Sequence, residues 1–139
     1  MKKPIIVDNT IRIPSQEEFL PDVDSFIEGI LRGFGTDETT IADIAICVTE
    51  LVNNSIIHGN KSDPDKEVAV EIGKTDSVVE ITITDEGTGF DIEHLESPID
   101  EQNLLKEVGR GIFIVRSLMD RVDVKFLKDG TRVTIAKKI

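Results

Sequence analysis

The sequence predicts an α+β fold in which helices pack on one face of a mixed, mostly antiparallel sheet. Three observations predict it. Apolar residues recur three and four positions apart in two long stretches early in the chain, as in amphipathic helices. Later stretches alternate apolar and polar residues and are joined by turn residues, which is typical of antiparallel hairpins. Helices also come before and between these strands, which favours a helical layer over a sheet.

The N-terminal part predicts one strand and two helices. Residues 11–13 alternate in polarity, and Pro14 after them indicates a short edge strand. Pro21 suits the first position of a helix. A second helix opens near Asp37 and closes at Gly59. The apolar stripes are Val23, Phe26, Ile27, Ile30, Leu31 and Phe34 in the first helix, and Ile41, Ile44, Ala45, Val48, Leu51, Val52 and Ile56 in the second.

The second half of the chain predicts two hairpins with a third helix between them. The first hairpin turns at residues 75–77 and the second at 128–130, where Asp-Gly favours a tight turn. The third helix is expected over residues 111–120, after a weakly patterned segment from 90 to 108 that is typical of a functional lid or of disorder. The alternating apolar residues are Val68, Val70, Ile72, Val79, Ile81 and Ile83, and then Val122, Val124, Phe126, Val133 and Ile135.

Length and charge limit the classes of protein to consider. The 139 residues suit one domain, and we expect a single domain over residues 1–139. The net charge of −11 argues against a nucleic-acid partner, since such binding depends on clustered Lys and Arg. No apolar run approaches the ~18 residues of a membrane span, and the N-terminal apolar stretch is too short for a secretory signal. We therefore expect a cytoplasmic protein that binds neither nucleic acid nor membrane.

The first chemically suggestive cluster is the run of residues 85–90, Asp-Glu-Gly-Thr-Gly-Phe, at the end of a predicted strand. Gly87 and Gly89 allow the backbone to approach a ligand closely. The carboxylate of Asp85 can accept hydrogen bonds from an exocyclic amine. A glycine-rich turn without a ligand explains this cluster equally well when it is taken alone.

The second cluster, Gly109-Arg110-Gly111, comes directly before the third predicted helix. Glycines at a helix entrance expose free N–H groups at the positive end of the helix dipole, which favours a phosphate. Arg110 can add a charge-assisted hydrogen bond to that phosphate. A lid hinge or a simple helix entrance is the alternative interpretation.

The third cluster lies inside the second helix, where Glu50, Asn54 and His58 stand four positions apart on one stripe. Glu50 and Asn54 offer oxygen ligands suited to Mg²⁺ or its water shell, and Glu50 can also take a proton from an attacking hydroxyl. The alternative is a stripe that faces solvent. His58 is interpreted as a residue that balances the helix dipole.

The order of these clusters, followed by Gly130-Thr131 in the second hairpin, resembles the GHKL ATPase/kinase superfamily over most of the chain. The resemblance implies a Bergerat-type α/β sandwich with ATP between the helices and the sheet. It makes Asn54 the ligand of Mg²⁺, Glu50 the general base and Asp85 the acceptor of the adenine amino group. Thr131 would contact the adenine end through its hydroxyl or a water.

The same resemblance gives roles to the glycines and to Arg110. Gly87 and Gly89 would shape the floor of the base pocket. Gly109 and Gly111 would form the mobile lid over the phosphates. Because phosphoryl transfer depends mostly on positioning and charge neutralisation, Arg110 would act beside Glu50 as a catalytic residue.

Within the superfamily, the short chain is similar to the stand-alone bacterial anti-sigma-factor serine kinases, and residues 1–36 contain no histidine that could serve as a phosphoacceptor. This resemblance implies transfer of the γ-phosphoryl group of ATP to a serine of a small anti-anti-sigma (STAS-type) protein. It also implies that the protein sequesters a sigma factor and forms a homodimer, through the first strand and helix.

Two alternatives from other classes remain open at this stage. One is a nucleotide-dependent binding module that does not catalyse transfer, and the presence of Glu50 argues against it, since binding alone needs no base. The other is an interaction domain in which the four clusters occur by coincidence.

Overall fold

The computed structural model describes residues 2–87 and 111–139. Within these residues, six strands form one sheet in the order β1-β2-β3-β4-β6-β5, and every neighbouring pair is antiparallel. The strands are β1 (Ile5–Val7), β2 (Thr10–Pro14), β3 (Glu67–Thr75), β4 (Val78–Asp85), β5 (Arg121–Leu127) and β6 (Gly130–Lys138).

The helices form a single layer over this sheet. They are α1 (Leu20–Gly33), preceded by a 3-10 turn at Glu17–Phe19, α2 (Glu38–Asn54), and α3, which includes residues 111–118. The side chain of Asp37 caps α2 by accepting a 2.9 Å hydrogen bond from the backbone N–H of Thr40. A π-helical turn, Ser55–Gly59, extends α2 to the glycine at which the sequence predicts its end.

The core lies between the helices and one face of the sheet. Alternate residues of the strands point into it, and the apolar stripes of the helices cover them. The buried strand residues are Ile11, Ile13, Val68, Val70, Ile72, Val79, Ile81, Ile83 and Ile135. The opposite face of the sheet carries polar residues such as Arg12, Glu71, Glu80 and Thr82. The predicted α+β class is confirmed, although the described strand pairs are all antiparallel and the sheet is not mixed.

One expectation for the N-terminal part is corrected. The strand that ends at Pro14 is not an edge strand, because β2 pairs with β1 on one side and β3 on the other. Pro14 is tolerated there because β1 pairs only with Thr10, Ile11 and Arg12, so the proline lies beyond the end of β1. The edge strand is β1, whose three apolar residues give no alternating pattern from which to predict it.

By length and composition alone, the segment Glu38–Gly59 could span a membrane. This segment is α2 with its π-helical turn. Most of its large apolar side chains are packed in the core, as expected for the central helix of a two-layer fold, while Ile46 is 53% exposed. The predicted lid segment, residues 90–108, lies outside the described residues.

Candidate functional site

The ends of four elements meet around one cavity of about 180 Å³. The C-terminal end of α2, the last residue of β4, the first turn of α3 and the start of β6 all contribute to it, together with the outer strand β5. The lining residues are Leu51, Asn54, Ser55, Asp85, Ile112, Arg116, Val124, Phe126, Thr131 and Val133.

Asp85 supplies the buried charge of this cavity. It continues the core-facing alternation of β4 and is only 5% exposed, so a carboxylate stands where the strand pattern calls for an apolar residue. Its Oδ1 accepts hydrogen bonds of 3.1 Å from the backbone N–H groups of Gly87 and Thr131. Burial raises the pKa of Asp85, while these two backbone bonds and the Ser55 hydroxyl oppose the rise. The carboxylate is therefore held in a fixed orientation at a desolvated position.

Thr131 places a hydroxyl without a partner beside this carboxylate. The residue is 4% exposed and lies at the start of β6, on the core-facing side of the sheet. Its Oγ1 is buried and has no hydrogen-bond partner within the described residues. Buried hydroxyls are normally satisfied, so an unpaired one in a cavity indicates a position for a ligand or water. A charged acceptor thus lies together with a hydroxyl that has no partner in the described part of the chain, an arrangement that suits a ligand edge carrying an amino group.

The backbone around Asp85 is packed so closely that only glycine fits. A Cβ on Gly87 would collide with the carbonyl of Gly59, and a Cβ on Gly59 would collide with the Asp85 carboxylate. The turn after β4 and the end of the π-helical turn therefore lie in direct backbone contact. This contact joins the helical layer to the acidic end of the cavity.

Glu50, Asn54 and Gly111 form the other end of the site. A Cβ on Gly111 would stand 2.7 Å from Oε1 of Glu50 and 3.1 Å from Nδ2 of Asn54, so the first turn of α3 lies directly against these two side chains. No group of three or more metal-ligating side chains occurs among the described residues. An amide and a carboxylate suit Mg²⁺, which is usually held by one or two protein oxygens together with phosphates and waters. The donor set fits a magnesium nucleotide.

The chain matches the family described as histidine kinase-like ATPase domain over residues 13–137. The chain belongs to this family.

Relatives of this histidine kinase-like ATPase domain include proteins named as serine kinases. The chain is 30% identical over 137 residues to serine-protein kinase RsbW of Listeria innocua, covering 94% of this chain and 86% of the relative. It is 27% identical over 132 residues to serine-protein kinase RsbW of Bacillus subtilis, covering 91% of this chain and 81% of the relative. The chain is accordingly a protein kinase of the histidine kinase-like ATPase family.

Two solved structures share the fold of this histidine kinase-like domain. The RsbU and RsbW domains of Rv1364c from Mycobacterium tuberculosis superpose with a TM-score of 0.69 at 18% identity, covering 99% of this chain and 32% of that one. The histidine kinase domain of a blue-light activated histidine kinase from Erythrobacter litoralis superposes with a TM-score of 0.55 at 20% identity, covering 96% of this chain and 69% of that one. The family membership implies the use of ATP.

Most of the residues singled out in the sequence meet at this one site of the ATPase-like domain. These are Glu50, Asn54, Asp85, Gly87, Gly111 and Thr131. His58 lies in the π-helical turn after α2 and does not line the cavity. The remaining predicted residues, Gly89, Gly109 and Arg110, lie outside the described residues.

The sequence patterns missed two residues of the cavity. Arg116 brings a cation, and Ser55 brings a hydroxyl that bonds to Asp85. The spacing of Ile112 and Arg116, four apart on α3, was a usable signal, because residues at that spacing share one face of a helix. Ser55 directly follows Asn54 and gives no such signal in the sequence.

Proposed function

We propose that this kinase transfers the γ-phosphoryl group of ATP to a serine of a small anti-anti-sigma protein of the STAS type, and that it sequesters a sigma factor in the cytoplasm. The observation that carries the proposal is one cavity with two chemically different ends. Asp85 and Thr131 form an end suited to a purine, and Asn54 lines the other end, where Glu50 lies beside it against Gly111 and makes that end suited to phosphate and its metal ion. The names of the RsbW relatives support serine as the acceptor.

At the purine end, the Asp85 carboxylate accepts a hydrogen bond from the adenine amino group, and Thr131 bonds the same edge directly or through a water. The two backbone amides that fix Oδ1 of Asp85 keep the carboxylate from rotating away. Gly87 and Gly89 form the floor of the base pocket. Apolar side chains of the cavity, including Ile112 and Val133, exclude water from the base.

At the phosphate end, Asn54 would hold Mg²⁺ through its amide oxygen, and Gly109 and Gly111 would offer backbone N–H groups to the phosphates. When bound, Mg²⁺ would offset the negative charge that the phosphates bring to an acidic protein. Arg110, and Arg116 on the wall of the cavity, add positive charge from this chain. These groups position the γ-phosphoryl group and do not react themselves.

Glu50 acts as the general base. The hydroxyl oxygen of the acceptor serine attacks the γ-phosphorus, the bond between that phosphorus and the β–γ bridging oxygen breaks, and ADP leaves. The proton of the hydroxyl passes to the Glu50 carboxylate. The Glu50 side chain is half-buried on α2 and packs against Gly111 of α3. This contact orients its carboxylate toward the phosphate end of the site.

We also propose a homodimer. The strand first named for this interface, residues 11–13, lies inside the sheet as part of β2, so the edge strand β1 takes its place beside α1. This edge strand is open on its outer side, and Ile5, Ile6 and Val7 are 48%, 59% and 62% exposed. A groove of about 460 Å³ lies beside it, lined in part by Ile6, Pro21 and Phe26. Pairing of two β1 strands would satisfy the open edge and cover these side chains. Light scattering of wild type and Ile6→Lys tests it, since the variant should be monomeric.

The kinase proposal is tested by incubating the protein with Mg²⁺, γ-labelled ATP and a purified STAS-type anti-anti-sigma protein. Label should move to one serine of the acceptor and should be absent when that serine is replaced by alanine. The Asp85→Asn variant should label the acceptor far more slowly at low ATP concentration. ATP binding without any labelling of the acceptor would contradict the proposed substrate while leaving the nucleotide site intact.

A further inference from the structure

Asn60 is a buried polar residue next to the proposed adenine site. It follows the π-helical turn, is 1% exposed, and does not line the cavity. Its side-chain Nδ2 donates hydrogen bonds of 2.8 Å to Oγ of Ser15 and 2.9 Å to the carbonyl of Glu67, and its Oδ1 accepts a 2.9 Å bond from the backbone N–H of Glu86. The side chain therefore links β2, β3 and the end of β4.

The bond to Glu86 is the one that reaches the site. Glu86 is the residue between Asp85 and Gly87, and both of these neighbours lie in close contact with Gly59, the residue before Asn60. Gly59 and Asn60 thus contact three consecutive residues of the turn that carries the carboxylate. A second bond, 2.6 Å from the N–H of Glu67 to Oε2 of Glu86, holds the same turn from β3.

We infer that Asn60 is a positioning residue for nucleobase selection, acting through the backbone of Glu86 to hold the Asp85 carboxylate where it accepts from an amino group. The inference rests on the proposed adenine site. Hydrogen-bond recognition depends on distance and angle, so a small rotation of the turn weakens the bond to the base. Loss of the Asn60 side chain leaves the Glu86 N–H without its acceptor and permits such a rotation.

The test compares ATP with inosine triphosphate, which carries a carbonyl oxygen in place of the adenine amino group. Binding of both nucleotides is measured by calorimetry, and their affinity ratio reports the contact of Asp85 with the amino group. The ratio should fall about tenfold in Asn60→Ala, the loss of one hydrogen bond to a charged group. In the Asp85→Asn background, Asn60→Ala should change the ratio no further, because it acts through that carboxylate.

Two matched variants separate positioning from loss of stability. Val70→Ala cuts a buried side chain of β3 outside the cavity and should lower the melting temperature without changing the ratio. Ser15→Ala removes one partner of Asn60 but keeps the bond to Glu86, and it should leave the ratio within about twofold. Should Asn60→Ala not fold, Asn60→Ser takes its place, because its hydroxyl can still bond a neighbouring group but is too short to reach the Glu86 N–H, and its ratio should fall as expected for Asn60→Ala.

The outcomes distinguish this inference from the proposed function. A wild-type protein that binds ATP and inosine triphosphate equally would overturn the role of Asp85 and the inference with it. If the preference for ATP over inosine triphosphate disappeared in Asp85→Asn but was unchanged in Asn60→Ala, the inference would be overturned and the proposed adenine site would stand. A ratio that falls equally in Val70→Ala and Asn60→Ala would also overturn it, since general destabilisation would then explain the loss.

Discussion

The backbone N–H of Thr131 donates a 3.1 Å hydrogen bond to Oδ1 of Asp85, which joins two residues that lie 46 positions apart in the chain. The bond connects the end of β4 with the start of the adjacent strand β6. It fixes the buried carboxylate of the cavity, and it brings beside that carboxylate the Thr131 hydroxyl, which has no hydrogen-bond partner among residues 2–87 and 111–139. The predictions below for the purine end follow from this pair.

Replacing Asp85 by asparagine should separate binding from stability. The amide oxygen of Asn can still accept the bonds from Gly87 and Thr131, and the desolvated charge is removed, so the melting temperature should not fall. ATP affinity should fall roughly 10- to 100-fold, since a hydrogen bond to a charged group is lost. Calorimetric titration and thermal unfolding of the same samples check both halves. A large loss of stability would show that the charge itself holds the fold.

The raised pKa of Asp85 makes a prediction about pH. The folded protein takes up the proton at a higher pH than the unfolded chain, so the buried charge costs stability at neutral pH and this cost disappears as the pH falls through the folded-state pKa. The unfolding free energy of wild type should therefore rise relative to that of Asp85→Asn as the pH is lowered from 7. Denaturant unfolding at several pH values measures the difference. A constant difference would mean that the carboxyl is not perturbed.

ATP affinity, in contrast to stability, should decrease as the pH is lowered from 7. The ionised Asp85 carboxylate accepts a stronger hydrogen bond from the amino group than the protonated carboxyl does, so protonation weakens binding, and it begins at a higher pH than for an ordinary aspartate. The affinity of wild type should decline on acidification more than that of Asp85→Asn. Titrations in buffers from pH 7 downward test this, with the variant as the control for the titration of the ATP phosphates.

Gly111→Ala should impair the site with little effect on folding. The added Cβ would lie 2.7 Å from Oε1 of Glu50, which is the mobile end of a flexible side chain and can move away. Phosphoryl transfer should fall because the base is displaced, while the melting temperature changes little. Gly130→Ala is the contrasting variant, since its Cβ would meet the backbone carbonyl of Asp85, which cannot yield. Equal destabilisation by both substitutions would contradict the placement of Glu50.

Glu50→Gln should greatly slow phosphoryl transfer and keep ATP binding. General-base catalysis contributes about 10²- to 10⁴-fold, so transfer to the acceptor protein should slow by that factor, with ATP affinity within about threefold of wild type. Glu71→Gln, on the open face of the sheet, is the matched control and should transfer normally. Single-turnover labelling measures the rate. Unchanged transfer in Glu50→Gln would mean that another group takes the proton.

The fold was predictable because its signals are local. The stripes of α1 and α2 and the alternation of β3 and β4 follow directly from residue spacing, and turn residues fix the hairpins. The strand β1 was missed because Ile5, Ile6 and Val7 do not alternate, and the position of β2 inside the sheet depends on β1. Such pairing is a tertiary property that no short window of sequence contains.

Residues of the candidate site could be predicted where a polar residue interrupts an apolar pattern. Asp85 stands at a core-facing position of β4, and Glu50 and Asn54 interrupt an apolar helix. Asn60 and Arg116 were not found this way. The role of Asn60 depends on three distant backbone and side-chain partners, and that of Arg116 depends on where α3 lies against the sheet.

The most direct test of the nucleotide site is calorimetric titration of the protein with ATP, with and without Mg²⁺, on wild type, Asn54→Ala and Asn53→Ala. Asn53 is the matched control because it precedes Asn54 on α2 and does not line the cavity. Wild type and Asn53→Ala should bind ATP more tightly with Mg²⁺ than without it, and Asn54→Ala should lose that gain. Equal ATP affinity of wild type with and without Mg²⁺ would contradict the assignment of Asn54 as the Mg²⁺ ligand. So would an Asn54→Ala variant that still bound ATP more tightly with Mg²⁺.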